Sequence, residues 1–494
     1  MLLLGIDIGT SSIKVSVVDT YSQRRIASTQ FPETEAGIIS LKPGWAEQSP
    51  EQWWAHTQQA ILKANALKLY DPAKINAIGI AYQMHGLVCV DKNQKPLRNS
   101  IIWCDSRAVD IGIEANNSIG NNKCLAHLLN SPGNFTASKL AWVKANEPAL
   151  YKKIDKIMLP GDFIAMKLSG DITTSIAALS EGIFWDYKKE NLSADIFSHF
   201  GFDKSFIPEI KPVFSGHGKL LATVAQALSL TPGIPITYKA GDQPNNALSL
   251  NVMQPGEVAA TAGTSGVIYT VTDKLAHDKL SRVNTFAHVN HTNEAKRLGV
   301  LLCINGTGIL NKWVKNIAGN NLGYSQINEL AAGVAPGSNG LVILPFGNGA
   351  ERMLQNKMVQ SHIHNIDFNV HTPAHIYRAA QEGIAFAFRY GLDIIRENGT
   401  EPQIIKAGHA NMFLSGVFTE SFVNATGVPV ELYNCDGSVG AALGAGIGAG
   451  LYTDAKQAFG KFVPVRSVKP KMKTLYDEMY MKWKEVLQRH LSPQ

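Results

Sequence analysis

The chain has 494 residues, 45% hydrophobic and 17% charged, with a formal net charge of +6 at neutral pH. That length exceeds what one hydrophobic core supports and fits two or three domains of an ordinary globular protein. The basic residues are scattered, so neither a nucleic-acid nor a membrane patch is expected, and no apolar run reaches the roughly 18 residues that span a bilayer.

The five cysteines (Cys89, Cys104, Cys124, Cys303, Cys435) show no CxxC or Cys/His spacing and read as reduced thiols of a cytoplasmic protein. The start MLLLGIDIGT lacks a basic leader and carries Asp7, unlike a signal peptide.

The first predicted element is a hairpin. Leu2 to Ile8 reads as a strand buried on both faces, Gly9-Thr10-Ser11-Ser12 as its turn, and Ile13, Val15 and Val17 as the returning strand. Asp7 sits where an apolar residue would be cheaper. A buried, unpaired carboxylate costs several kcal/mol, so Asp7 should hold something. The glycine and hydroxyl residues beside it form a donor site for phosphate, with Asp7 placed for a cation. The same plan returns at Val258–Val271, where a small-residue strand meets Gly263-Thr264-Ser265-Gly266 and a second apolar strand, without the aspartate.

Between the hairpins, Ser49-Pro50 caps a helix running to about Leu67. Strand Ile75–Ala81 delivers Gln83-Met84-His85-Gly86 at its carboxyl end, where open α/β sheets bind ligands. His85 alone reads as readily as a core histidine. Ile101–Arg107 reads as a strand ending in an acid and a base, either a structural Asp105–Arg107 pair or a sugar contact. Residues 108–240 read as helices and connectors, with Asp162 a helix N-cap. Strand Ile236–Ala240 then ends in Gly241-Asp242 at a helix start, where Asp242 is a cap or a general base toward a hydroxyl.

In the second half, Asn305-Gly306-Thr307-Gly308 opens a helix, and strand Leu341–Pro345 reaches a glycine-rich loop, Phe346–Arg352. A long helix runs from Pro373 to about Asn398, capped by Thr372 and ended by Gly399. Strand Ile404–Ala407 meets Gly408-His409-Ala410-Asn411, a platform for a base and ribose. Asp436–Gly446 is a helix of very small residues suited to tight core packing. Met472–Leu491 is a basic amphipathic surface helix. P-loop, complete GxGxxG, HExxH and GxSxG patterns are absent, so a nucleotide would be held by the paired hairpins.

Asp7-Ile8-Gly9-Thr10, Gln83-Met84-His85-Gly86, Trp103-Cys104-Asp105-Ser106-Arg107, Gly241-Asp242 and Gly263-Thr264-Ser265-Gly266 occur in that order. On these motifs the chain resembles the FGGY family of carbohydrate kinases over nearly its whole length, most closely its members acting on xylulose. The resemblance implies an α/β fold of two ribonuclease-H-like (sugar kinase/Hsp70/actin) domains with a cleft between them. They would be residues 1–243 on the sugar and metal side and 244–494 on the ATP side, the terminal helix packing back on the first. It implies ATP and Mg²⁺ as cofactors and a small-molecule sugar as substrate. A ketopentose is expected first, with ribulose, glycerol and related polyols as alternatives and a non-enzymatic ATP-binding protein of the actin/Hsp70 fold behind them, and a homodimer is left open.

By the same resemblance the catalytic base falls on Asp242, and the metal on Asp7 and Asp242. Sugar contacts fall on Gln83, Met84, His85, Trp103, Arg107, Asp242 and Gln243. Nucleotide and phosphate contacts fall on Gly9, Thr10, Ser11 and Lys14, on Gly263, Thr264 and Ser265, and on Gly308, Lys312, Gly408 and Asn411. Gln243 replaces the asparagine usual after that aspartate, and Lys406–Ala410 departs from the Gly-Gly-Gly-Ala run usual near adenine.

Overall fold

The computed structural model describes residues 1–275, 277–319 and 321–492. Strands β1 (Leu2–Ile8), β2 (Ile13–Asp19), β3 (Arg25–Phe31), β4 (Ile75–Tyr82) and β5 (Ile236–Gly241) form one sheet in the order β5-β4-β1-β2-β3. β1, β2 and β3 are antiparallel, whereas β4 and β5 run parallel to β1.

The second sheet repeats the plan. β6 (Val258–Ala262), β7 (Gly266–Thr272) and β9 (Leu298–Ile304) are antiparallel, with β8 (Asn284–Ala287) added outside β9. A separate hairpin, β10 (Val342–Phe346) with β11 (Gln360–His364), interrupts the series. β12 (Ile405–Gly408) and β13 (Val430–Tyr433) then run parallel to β6, and β14 (Arg466–Val468) closes the edge. The two sheets therefore share one strand order, as the repeated hairpin implied.

The double-sided burial of β1 has a clear cause. Leu2, Leu4, Ile6 and Ile8 pack with Trp53, Ala60 and Ile61 of helix α1 (Pro50–Ala66) and Phe163 and Ile164 of helix α2 (Pro160–Ser169). Leu3 faces the other way, into a cluster holding Tyr238, Ala247 and Leu248, and Ala441, Ala442 and Ala445. Residues two apart on a strand share a face, so Gly5 and Asp7 point the same way as Leu3. Ala247 and Leu248 belong to α3 (Asp242–Ser249), which runs from the end of β5 to pack on β6 and β7. Helices α4 (Gly308–Ala318) and α5 (Pro373–Glu397) lie on the second sheet's outer side.

The alanines belong to α6 (Gly437–Gly448), and this helix corrects an expectation. The element of the second half that returns to the first sheet is α6, not the terminal helix α7 (Lys473–Leu491). Side-chain size explains the exchange. A methyl group on Gly5 would lie 1.8 Å from the Ser438 carbonyl oxygen, and one on Gly79 would lie 1.9 Å from that of Ala441. Helix and sheet thus touch backbone to backbone. α7 carries Tyr476, Tyr480 and Trp483, which fill the space beside Phe346 and Phe386 over the second sheet.

Two local readings also change. The Ile101–Arg107 strand shortens to Ser100–Ile101, because Asp105 and Ser106 bond to local backbone: Asp105 Oδ1 accepts from Arg107 N (2.8 Å) and Ser106 N donates to Gly44 O (2.7 Å). Asp162 does not cap its helix. It lies in the first turn and pairs with Lys239 of β5 at 2.5 Å, both side chains 2% exposed, while Lys239 also donates to Thr173 O at 2.6 Å. Among the described residues no helix is long and apolar enough to cross a membrane.

The α6 seat yields a stability prediction. Gly79→Ala should cost on the order of 3 kcal/mol, since the methyl meets rigid backbone. Chemical denaturation measures it, and an unchanged midpoint would show that α6 can lift off the sheet.

Candidate active site

Three parallel strands end side by side, because the register aligns Ile8 with Tyr82 and Tyr82 with Gly241. Asp7 lies one residue before that line and Asp242 one residue after it. Their strands are two interstrand spacings apart, about 10 Å. Asp7 faces the start of α6, where a methyl group on Gly437 would lie 2.4 Å from Asp7 Oδ2.

A third acid joins them. Asp436 caps α6, accepting from Ser438 N at 2.9 Å and Ser438 Oγ at 2.5 Å. Burial, then the charge of Asp436, raises Asp7 to about 6, opposed by Lys14, its cross-strand neighbour. Burial, then the charge of Asp7, raises Asp242 to about 7 against hydrogen bonds from Gln243. Clustered carboxylates destabilised by one another are a donor set for a hard divalent cation, so the residues present fit Mg²⁺.

On the sugar side, Met84 and His85 follow β4. His85 takes the left-handed conformation (φ 62°), its N–H donating to Glu181 Oε1 at 3.3 Å and its Nδ1 lying 3.1 Å from Glu181 O. Its ring meets Phe135 edge-on and tilts against Phe286, with centroids 4.9 and 5.2 Å away. Burial, with Lys139 and Arg352 nearby, pushes its pKa down to about 3, so the imidazole is neutral.

Glu181 is buried, which raises its carboxyl well above the usual range, and Asp242 and Asp162 add to the shift. Burial there disfavours its charged form. Gly241 is the one residue that fits between: a methyl there would lie 2.6 Å from Met84 Cγ and 2.8 Å from Glu181 Oε2. Beside Asp242, Gln243 Oε1 is buried without a donor.

Other expected sugar residues serve the frame. Gln83 donates to Gln48 Oε1 (3.0 Å) and accepts from Thr10 Oγ1 (3.2 Å), and the half-exposed Trp103 donates to the same Thr10 oxygen (3.0 Å). This chain of bonds positions the first hairpin turn. Arg107 is held by Asp105 (2.7 Å) and Glu47 (2.7 Å), its side chain 1% exposed and its guanidinium 3.8 Å from the ring centre of Trp45. The Asp105–Arg107 pair is thus present as a buried, structural one.

The nucleotide-side residues converge. Gly308 N donates to Gly263 O at 2.9 Å and Ile309 N to Thr264 O at 3.1 Å, docking the second hairpin on the start of α4. Thr264, Ser265 and Lys312 are exposed there. Pairing of β6 with β12 sets Gly408 alongside, and Asn411 Nδ2 lies 3.7 Å from where a Gly263 methyl would stand. Gly9, Ser11 and Lys14 border the first hairpin turn, with Ser11 and Lys14 exposed.

Sequence reasoning missed Asp436, Glu181, Lys139 and Arg352. Asp436 carried a signal, the Asp-Gly-Ser cap of a helix. Lys139 is fully buried and donates to His85 O (2.8 Å) and Ile102 O (3.0 Å), supporting the His85 turn, with burial pushing its pKa down to about 7. Arg352 follows Glu351, whose carboxylate accepts from Asn305 N (3.0 Å) and Gly306 N (3.2 Å). The Arg352 guanidinium faces Cys303 and His85 and makes no hydrogen bond or ion pair among the described residues.

Residues 2–249 match the N-terminal domain of the FGGY family of carbohydrate kinases, and residues 258–450 match its C-terminal domain. The xylulose kinase of Bacillus subtilis (strain 168) is 26% identical over 490 residues, covering 96% of this chain and 95% of that protein. Among solved structures, the xylulose kinase from Rhodospirillum rubrum superposes with a TM-score of 0.88 at 24% identity, covering 99% of each chain. The gluconate kinase from Lactobacillus acidophilus reaches 0.90 at 19% identity, covering 99% of this chain and 98% of its own. At such identities the structures establish the fold alone.

The acid cluster predicts a pH effect. Unfolded carboxyls release their protons near 3.8, whereas folded Asp7 and Asp242 keep theirs to about 6 and 7. The ligand-free protein should therefore lose stability as pH rises from about 4 to about 7. Asp242→Asn should flatten that fall and raise stability at pH 8 by on the order of 2 kcal/mol. Melting curves across pH test it, and an unchanged slope would show that Asp242 ionises freely.

Proposed function

This chain belongs to the FGGY family of carbohydrate kinases, and we propose that it phosphorylates the terminal hydroxyl of a ketopentose, D-xylulose first, with Asp242 as general base. The observation that carries the reading is Asp242 itself, a carboxylate raised to about 7 by burial and by Asp7, at a strand end whose last glycine packs against Met84 and Glu181. A base with that pKa is half ionised near neutrality and suited to accept a hydroxyl proton as the oxygen attacks phosphorus. The curated relative reported above, a xylulose kinase, supports the choice of sugar.

The pocket's chemistry suits an uncharged polyol. Neutral His85, Glu181 with its ionisation disfavoured by burial, and the unpartnered Gln243 Oε1 offer donors and acceptors. Met84, Phe135 and Phe286 provide apolar walls for the carbon backbone. We assign the sugar to residues 1–243 and the nucleotide to 244–494.

Thr10 and Ser11 would meet the phosphates from one half, and Gly263–Ser265, the start of α4 and Lys312 from the other. Gly408 and Asn411 would flank the nucleoside. Asp7, Asp242 and Asp436 would hold Mg²⁺, which when bound neutralises charge on the phosphate oxygens. Arg352, a cation of the second half with no partner of its own, would offset charge on the group in transfer. Holding one ligand from two halves requires closure, which also excludes water.

Asp242→Asn should lower kcat by about 10²- to 10⁴-fold while nucleotide binding persists. Near-normal turnover would remove the base assignment. ADP release measured with D-xylulose, D-ribulose, glycerol and gluconate should favour xylulose, and preference for another acceptor would replace the substrate while keeping the mechanism. Arg352→Ala should reduce kcat by about 10²-fold with little change in sugar KM. A raised KM at constant kcat would make Arg352 a sugar contact instead.

A further inference from the structure

Outside the cleft, three histidines converge where the β10–β11 hairpin meets the end of α7. His362 and His364 lie two residues apart on β11 and so share a face, while His490 occupies the last turn of α7. One ring nitrogen from each lies within 4.8 Å of the other two, and all three residues are half-buried. His364 Nε2 and His490 Nε2 stand 3.1 Å apart, and the rings of His362 and His490 stack with centroids 3.8 Å apart. We propose that His362, His364 and His490 form a binding site for a borderline transition-metal ion of the zinc class, which ties the terminal helix to the hairpin.

The tautomers favour ligation. His362 Nε2 lies 2.8 Å from Val359 O, an acceptor only, so that nitrogen carries the hydrogen and Nδ1 keeps its lone pair. A ligating imidazole whose second nitrogen donates to a backbone carbonyl is the usual outer arrangement of a histidine metal site. His364 and His490 turn ring nitrogens toward each other with no carboxylate within ion-pairing distance among the described residues. Burial, then the neighbouring histidines, pushes both pKa values down, the direction that favours the unprotonated form a ligand needs.

Ligand chemistry separates this site from the catalytic one. Imidazole nitrogens select zinc, nickel, copper or cobalt, whereas the three acids of the cleft suit magnesium. Zinc–nitrogen bonds of about 2.0–2.1 Å set tetrahedral nitrogens roughly 3.4 Å apart, so the widest separation must close by rotation of half-exposed rings. Three protein ligands leave a fourth position to water. The location also favours a cation, because His490 sits at the negative end of the α7 dipole, where the final carbonyls need partners. One of them, Leu491 O, already accepts from Lys357 Nζ at 2.9 Å.

The test uses full-length protein stripped of metal and titrated with zinc against a chromophoric chelator, with cobalt(II) absorption as a second reading. The expected result is one ion per chain at micromolar affinity or tighter, a melting point raised by several degrees, and no such rise with magnesium. His490→Ala and His362→Gln should each weaken zinc binding at least tenfold, whereas His371→Ala, outside the cluster, should leave it unchanged. Two variants on different elements guard against a fold defect in either. Zinc binding that survives both, or binding lost on Asp7→Ala instead, would overturn the site, as would the absence of stoichiometric binding.

Discussion

Everything at the cleft depends on how closely α6 approaches the first sheet. Gly5 and Gly79 leave their strands bare exactly under the backbone of Ser438 and Ala441, and Thr237 Oγ1 donates to Ala445 O at 2.8 Å. Because no side chain intervenes, the start of α6 is fixed against the ends of β1 and β5, and Asn245 Nδ2 bonds Gly437 O at 2.9 Å. Asp436 is thereby held beside Asp7, although 428 residues of chain lie between them. A helix of ordinary residues would stand off the sheet, near the usual 10 Å packing distance for layers, and the third acid would withdraw with it.

The same seat explains why the two halves share one core. β6 and β7 turn Ala259, Val267, Tyr269 and Val271 toward the cluster that contains α3 and α6. At one edge the halves are also joined by polar bonds: Asn130 exchanges two with Thr285 (2.6 and 3.0 Å), and Ala287 N donates to Ser180 Oγ (2.9 Å). The halves are thus bound along that edge.

Much of this was legible in the sequence, for reasons that can be named. The hairpins were visible because a Gly-Thr-Ser turn between apolar runs is a local signal, and its repetition predicted the repeated strand order. Asp7 and Asp242 stood out because a carboxylate at a strand end conflicts with its apolar surroundings. Local caps at Ser49 and Thr372 also set their helices within a residue or two. Glu181 and Lys139 were not legible, since each is an ordinary polar residue in a helical stretch and only burial gives it a role. Arg107 read two ways, as a structural partner of Asp105 or as a sugar contact; the pair with Asp105 is present, and Glu47, distant in sequence, and two tryptophans enclose it, which no local pattern announces. The return of α6 in place of α7 was likewise a matter of side-chain volume against an available surface, which no single segment encodes.

A duplicated fold would give two equivalent sites, and charge is what makes these halves different. The first half gathers acids, Asp7 and Asp242, near His85 and Glu181, whose charged forms burial disfavours. The second contributes Asp436 but also the cations Lys312, in the first turns of a helix, and Arg352, in a short turn after β10. An ionised Asp242 close to Asp7 is costly without a ligand, and so is a largely buried guanidinium without a partner; burial lowers the pKa of Arg352. A phosphate chain with its divalent cation is the kind of ligand that relieves both at once, positive charge meeting the acids and negative charge the arginine.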